Sequence, residues 1–264
     1  MSNSDPKKTA LRVLEIEAQA IAGLKEKLDE SFSEAVGLIL AATGKVVVTG
    51  IGKSGLICQK IASTFASTGT AAFFLHPAEG MHGDLGVLMK NDVLLAVSNS
   101  GESEEIIKMV PVIKRMGIKM VAMTGRAGSA LAGHADVVLD IGVKEEACPL
   151  GLAPTASTTA ALAMGDALAV ALLEKRGFKE EEFAAIHPAG QLGRKLLKVA
   201  ELMHTGEAMP MVERTTPMKE ALLEMTTKRL GITGVFEGKG KGKRKKLVGA
   251  ITDGDLRRTI ERGG

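Results

Sequence analysis

Tryptophan and tyrosine are absent from this chain, and aromatic residues make up only 3% of it. A core must therefore be built from Val, Ile, Leu, Met and Ala. Cysteine is scarce as well. Cys58 and Cys148 do not make a disulfide framework, and both lie among apolar or small residues, as reduced core thiols do. Long apolar runs are missing: no stretch of about 18 or more apolar residues without charges occurs, so no membrane span is expected. Met1 to Lys8 is polar and lacks the apolar run of a signal peptide. These absences together lead us to expect a cytoplasmic protein. Nor does one sign of charge dominate. Thirty-four Lys and Arg against 31 Asp and Glu leave a net +3, too small to imply a nucleic-acid partner by itself.

What is present is an ordinary globular composition, 45% hydrophobic and 25% charged, over 264 residues. That length fits one large domain plus a small one. Leu14, Ile21 and Leu28 recur every seven residues, with Leu11, Ala18 and Phe32 on the adjacent track, which predicts a helical start. Its apolar face has to cover the core or a second subunit. Ser31 and Glu34 form a capping box for a second helix. Short apolar runs at 45–48, 71–75, 93–97, 118–123 and 137–141 predict strands. Helical patterns lie between them, carrying Ile57, Ile61 and Phe65 in one and Ile106, Met109 and Ile113 in another. A long Ala-rich helix is expected from Thr155 to Gly177. This alternation predicts an α/β fold: a doubly wound, five-stranded parallel sheet covered on both faces, with right-handed crossovers and order 2-1-3-4-5.

The character changes after about residue 198. Residues 199–264 read as a small α+β unit, with helices at 218–230 and 255–262 and strands at 232–236 and 247–251. Such a unit is too small to bury a good core alone. The lysine-rich stretch Gly238 to Lys246 has no aromatic or motif to support nucleic-acid binding and reads as a solvated hairpin loop.

Chemistry is expected where the strand order reverses, between the first and third strands. The loops there are Gly50 to Gly55, with Gly52, Lys53 and Ser54, and Ser98 to Ser103. Both precede helices, whose N-termini present free N–H groups to an anion. Ser98, Ser100 and Ser103 add hydroxyls. The second loop is thus either a phosphate cradle or an ordinary capped turn with Ser103 as N-cap. The first loop is too short for a Walker A motif. It has the letters of a dinucleotide fingerprint, but Phe73-Phe74-Leu75-His76 stands where the acidic residue belongs, so no NAD is expected.

The segments GIGKSG, HPAEGMHGDLG, SNSGESEE, KEEACPLGLAPTASTTA and HPAGQLGRKLL, in this order, resemble the arabinose-5-phosphate isomerases of lipopolysaccharide biosynthesis, which carry a sugar isomerase (SIS) domain. The likeness runs from about residue 9 to 262. LMHTGE with VGAITDGDLRR is similar to the first of the two CBS repeats those enzymes usually carry, and a second is not found before Gly264. The resemblance implies a SIS domain over 1–198 with N-terminal helices, and a single CBS-like repeat over 199–264.

It further implies an aldose–ketose isomerase that interconverts D-ribulose 5-phosphate and D-arabinose 5-phosphate through an enediolate, feeding 3-deoxy-D-manno-octulosonate synthesis. By the same resemblance Lys53, Glu105, Glu146 and His187 are the catalytic positions. Glu105 is the base, and His187 reaches the site from a neighbouring subunit of a homotetramer. Position alone favours reading Glu105 as a carboxylate placed for the helix dipole, and the resemblance reverses this. Gly69, Thr70, Lys108 and Lys114 fall in substrate-binding stretches of the family. The family implies that His76 binds metal and substrate, and His76, Glu79 and His82 offer three ligands in seven residues. Their spacing fits no usual structural zinc site, and enediolate chemistry needs no metal. No cofactor is therefore required, and any zinc is adventitious or inhibitory. Asp253 and Asp255 fit the ribose-and-cap position of CBS repeats, or are simple N-caps. The partner is a small sugar phosphate, with no nucleic acid and no membrane. Two other readings compete: a phosphoheptose isomerase of the same fold, and a non-catalytic sugar-phosphate sensor that keeps the serine loop and needs no base.

Overall fold

The computed structural model describes residues 5–187, 199–238 and 246–261. The chain divides into two compact units, Met1–Leu196 and Leu197–Gly264.

The first unit opens with α1 (Pro6–Leu24), whose N-cap Asp5 accepts from the Lys7 N–H, and α2 (Glu30–Ala41). Asp29, not Ser31, caps α2. Its carboxylate accepts from the Ser31 N–H at 2.9 Å, and the bonds from Ser31 hold it below the usual carboxylate range. The helix therefore begins two residues before the expected capping box, and Leu28 lies outside both helices. α1 packs on the long helix described below. The side it turns there is not the heptad track: Leu11, Leu14 and Ile21 remain 61%, 65% and 43% exposed in the single chain.

The alternation of strands and helices follows. β1 (Val46–Thr49) leads to α3 (Gly52–Ser67), β2 (Ala72–Leu75) to the short α4 (Pro77–Met81), and β3 (Val93–Ser98) to α5 (Glu104–Met116). β4 (Lys119–Thr124), α6 (Ala130–His134) and β5 (Val137–Asp140) complete the sheet, and α7 (Ala156–Arg176) and α8 (Glu180–Ile186) follow. The strands are all parallel, in the order β2-β1-β3-β4-β5. Strand side chains alternate between faces. Val46, Val48, Leu95, Val97, Val121 and Met123 pack with Ile39, Ile61, Phe65 and Leu168. Val47, Leu94, Ala96, Met120 and Ala122 pack on the other side with Ile106, Met109 and Ile113.

α7 alone among the described helices is long and apolar enough to cross a membrane by length and hydropathy, with a mean hydropathy of 1.5. It is a core helix here. Half of that stretch is buried, with Ala160, Met164, Leu168 and Leu172 in the core. Asp166 interrupts the stretch, so it is not the charge-free apolar run of a membrane span.

The second unit holds α9 (Val199–Leu202), β6 (Met211–Glu213), α10 (Met218–Lys228), β7 (Ile232–Glu237), β8 (Lys246–Thr252) and α11 (Asp253–Glu261). Its sheet has the order β6-β7-β8, with β6 parallel and β8 antiparallel to β7. β6 had no periodic signal in sequence, being three residues long. Asp255 accepts from the Thr252 N–H and hydroxyl and from Arg258, which pulls its carboxyl down to about 2. Its Oδ2 closes the helix start with Thr252 and its Oδ1 pairs with Arg258, so both oxygens are engaged, which favours the capping reading over a ribose contact.

Candidate active site

The reversal of strand order puts the carboxyl ends of β1, β2 and β3 side by side, with Thr49 paired to Leu75 and to Ala96. The Thr49 hydroxyl donates to the Leu75 carbonyl at 2.7 Å and ties two of these ends together. Helices begin all along this edge, and they are capped unequally. The His76 ring caps α4, the Ser129 hydroxyl caps α6, and Glu146 accepts from the first turn of α7. Of the helices that begin at this edge, only α3 and α5, the two at the reversal, have no side chain bonded to their first-turn N–H groups among the described residues. An anion arriving here meets free donors at the positive ends of both.

The serine loop is built before any ligand arrives. Ser98, 4% exposed, accepts through Oγ from the Gly101 N–H at 3.1 Å and shares a 2.9 Å bond with Ser103 Oγ. Ser103 thus stands at the N-cap position of α5 without capping it. Gly101 takes φ +68°, and a Cβ on it would lie 2.0 Å from Ser129 Oγ, so only glycine fits the turn. From the segment after β4, Gly125 N–H donates to the Asn99 carbonyl, and from α6 Leu131 N–H donates to that of Gly101, both at 3.0 Å. The Glu102 carboxylate accepts from the Ala130 N–H at 2.9 Å. Ser98 is therefore the frame of the loop, and the exposed Ser100 is the hydroxyl it presents.

Gly52, Lys53 and Ser54 form the first turn of α3. Lys53 is exposed and makes no hydrogen bond or ion pair among the described residues. Glu105 lies in the first turn of α5, half-buried, and its carboxylate also makes no hydrogen bond there. Its neighbour Glu104 pairs instead with Lys108 at 2.8 Å, which lowers the Glu104 carboxyl and raises the Lys108 ammonium. The two adjacent glutamates are thereby told apart.

α7 runs beside α3 in the same direction. Lys60 pairs with Asp166, and one turn beyond the end of α3 the Arg176 Nε donates to Thr70 Oγ1 at 3.2 Å. The same offset along both helices brings their first turns to the carboxyl edge together. Glu146 is consequently near the reversal. Gly69, Thr70 and Lys114 are not brought there within one protomer. Gly69 and Thr70 precede β2 at the opposite edge, where a Cβ on Gly69, at φ +86°, would lie 2.3 Å from the Phe178 ring. Lys114, in the last turn of α5, faces Asp136 at 3.7 Å. His187 ends α8, and among the described residues its contacts are local: Nδ1 donates to the Phe183 carbonyl at 2.9 Å, and the rings stack at 3.9 Å. The helix expected to start near Gln191 lies outside the described residues.

His76 stands at the carboxyl end of β2. Its Nδ1 accepts from the Ala78 N–H at 3.3 Å, which places the proton of the neutral ring on Nε2. His76, Glu79 and His82 do not converge as a three-ligand group among the described residues. The donor set here does not fit a closed zinc centre. A cavity of about 500 Å³ lies at the ends of β4 and β5, lined by Gly125, Gly142, Lys27 and α1, one strand away from the reversal. The uncapped helix ends, with Lys53 and Glu105 in their first turns, stand at the reversal and not at that cavity.

Residues 39–171 match the SIS domain family. The chain is 52% identical to arabinose 5-phosphate isomerase KdsD of Pseudomonas aeruginosa over 97% of its own length and 77% of that protein's. It is 51% identical to KdsD of Escherichia coli K12 over 95% and 75%. The chain belongs to the SIS-domain arabinose-5-phosphate isomerases. Its fold also matches the structure of Escherichia coli CFT073 c3406 in complex with arabinose 5-phosphate, with a TM-score of 0.68 and 41% identity over 71% of this chain and 100% of that one.

Sequence reasoning passed over two members of this SIS-domain site. Thr155 closes the loop that begins at Glu146, and Glu102 buttresses the serine loop. A threonine before an Ala-rich helix is an N-cap signal and located Thr155 as a boundary. Nothing local in sequence announces that Glu102 reaches Ala130.

Proposed function

We propose that this isomerase interconverts D-ribulose 5-phosphate and D-arabinose 5-phosphate in the crevice between α3 and α5. One observation carries the reading: the two uncapped helix ends at the strand reversal hold Lys53 and Glu105 in their first turns. The substrate phosphate lies against the serine loop and those helix ends. Glu105, free of hydrogen bonds among the described residues, removes a proton from C1 of ribulose 5-phosphate and returns it to C2. Lys53 stabilises the charge that develops on the enediolate oxygens. His187, supplied by another subunit, moves the hydroxyl proton from O1 to O2. Its Nδ1 is spent on Phe183, which leaves Nε2 as the exchanging atom. His76 and His82 line the substrate side of the crevice, and no metal is required. The working form is a cytoplasmic homotetramer with shared sites, without nucleic-acid or membrane partners, and the second unit is a single CBS-like repeat. The test is incubation with ribulose 5-phosphate and chromatographic assay for arabinose 5-phosphate. Turnover of sedoheptulose 7-phosphate instead identifies a phosphoheptose isomerase, and binding without turnover a sensor.

A further inference from the structure

Among the helices that begin at the carboxyl edge, α7 has its N-terminus occupied by a carboxylate from the loop before it. Glu146 Oε2 accepts from the Thr155 N–H at 2.7 Å, the Thr155 hydroxyl at 2.9 Å and the Ser157 N–H at 3.3 Å. Thr155 Oγ1 accepts in turn from the Ala147 N–H at 2.9 Å, so a closed ring of bonds ties the two ends of the 146–155 loop. α1 braces the same turn: Arg12 donates to the Ala147 carbonyl at 3.2 Å and Thr159 to Glu17 at 3.1 Å. Burial opposes the charge on Glu146, yet the bonds from Ser157 and Thr155 outweigh it and hold the carboxyl below its ordinary range. A carboxylate so engaged binds a proton weakly and has little freedom to carry one.

We infer that Glu146 is a positioning residue for the isomerisation and not a proton carrier: with Thr155 it clasps the first turn of α7 beside the first turn of α3, which carries Lys53. The inference rests on the isomerase reading above. Glu146 also offsets the positive end of α7, which leaves the uncapped ends of α3 and α5 as the place where a phosphate finds free donors. Releasing the clasp loosens the wall against which Lys53 is set, and a displacement of about 1 Å at a reacting centre costs on the order of 100-fold in rate.

The experiment measures kcat and KM for ribulose 5-phosphate, with thermal unfolding, on the full chain and on Glu146→Gln, Glu146→Ala, Thr155→Val and Thr155→Ser. Glutamine keeps an acceptor oxygen for Thr155, so Glu146→Gln is expected to stay within about tenfold of wild-type kcat while Glu146→Ala falls roughly 100-fold. Thr155→Val falls with it, Thr155→Ser recovers, and KM moves less than about threefold throughout. A Glu146→Gln enzyme as inactive as Glu146→Ala overturns the inference, because charge or proton transfer is then what the position supplies. So does wild-type turnover in Thr155→Val. If Glu146→Ala does not fold, the Thr155 pair and Glu146→Gln decide. Wild-type protein that makes no arabinose 5-phosphate defeats the isomerase reading itself, and this inference with it.

Discussion

Ser98 and Ser103 meet hydroxyl to hydroxyl at 2.9 Å across the turn that opens α5. Each is thereby withdrawn from the task its position suggests. The Ser98 hydroxyl is bonded within the loop, and Ser103 does not cap its helix. The first turn of α5 is left with unclaimed N–H groups, and the turn is rigid enough to keep them aimed at the crevice.

Ser98→Ala removes that bond and the side-chain acceptor of the Gly101 N–H. Destabilisation of about 1–2 kcal/mol is expected, together with a higher KM for ribulose 5-phosphate. Urea unfolding and steady-state kinetics check it. If neither the midpoint nor KM moves, Ser98 is not the frame of the loop.

The adjacent glutamates should separate sharply. Glu105→Gln is expected to lower kcat by roughly 10²- to 10⁴-fold without changing the unfolding midpoint, as loss of a general base does. Glu104→Gln breaks only an exposed pair with Lys108 and should leave kcat within about twofold. Equal losses in the two variants would remove the base assignment.

Mixing decides whether His187 acts across subunits. Lys53→Ala and His187→Ala proteins are each expected to be nearly inactive. Co-refolding them together should restore measurable turnover, since some sites then receive an intact lysine from one chain and an intact histidine from another. No recovery in a confirmed mixed oligomer places both residues in one chain's site.

Gly69 tests a structural role against a binding one. Gly69→Ala puts a Cβ against the Phe178 ring at a positive φ. A stability loss of about 1–3 kcal/mol with unchanged KM is expected. Raised KM at unchanged stability would instead make Gly69 a substrate contact.

Acid sensitivity should trace in part to Asp92, which is 3% exposed. Burial raises its pKa, but bonds from the Lys45 ammonium at 2.6 Å and from the Lys45 and Met89 N–H groups, each at 2.9 Å, outweigh burial and lower it. A folded pKa below the unfolded value of about 3.9 adds stability that is fully present at neutral pH. That stability is lost as pH falls through the folded pKa. Urea midpoints at neutral pH and near pH 3 should therefore differ less in Asp92→Asn than in the wild type. An equal difference assigns the acid sensitivity elsewhere.

The sheet, its order and its long helices were legible from sequence because alternation and periodicity are properties of neighbouring residues, whereas the short α4, α6 and α8 carry too few residues to show a period. Val46 to Val48 announce a strand wherever they occur, and Gly50 and Gly101 mark turns that L side chains resist. The heptad of Leu14, Ile21 and Leu28 also announced a helix, but not which side it buries. The packing of α1 on α7 chose the other side, because contact between helices depends on partners far along the chain. The motif segments likewise carried the family and its candidate residues. What they could not carry is which hydroxyl is buried, which of two glutamates is paired, or that Gly69 and Thr70 stand at the far edge of the sheet from Lys53. Those depend on hydrogen bonds closed between residues far apart in the chain, such as Arg176 to Thr70 and Glu102 to Ala130. Local composition supplies the donors and acceptors, and only the folded chain determines which of them are still free for a substrate.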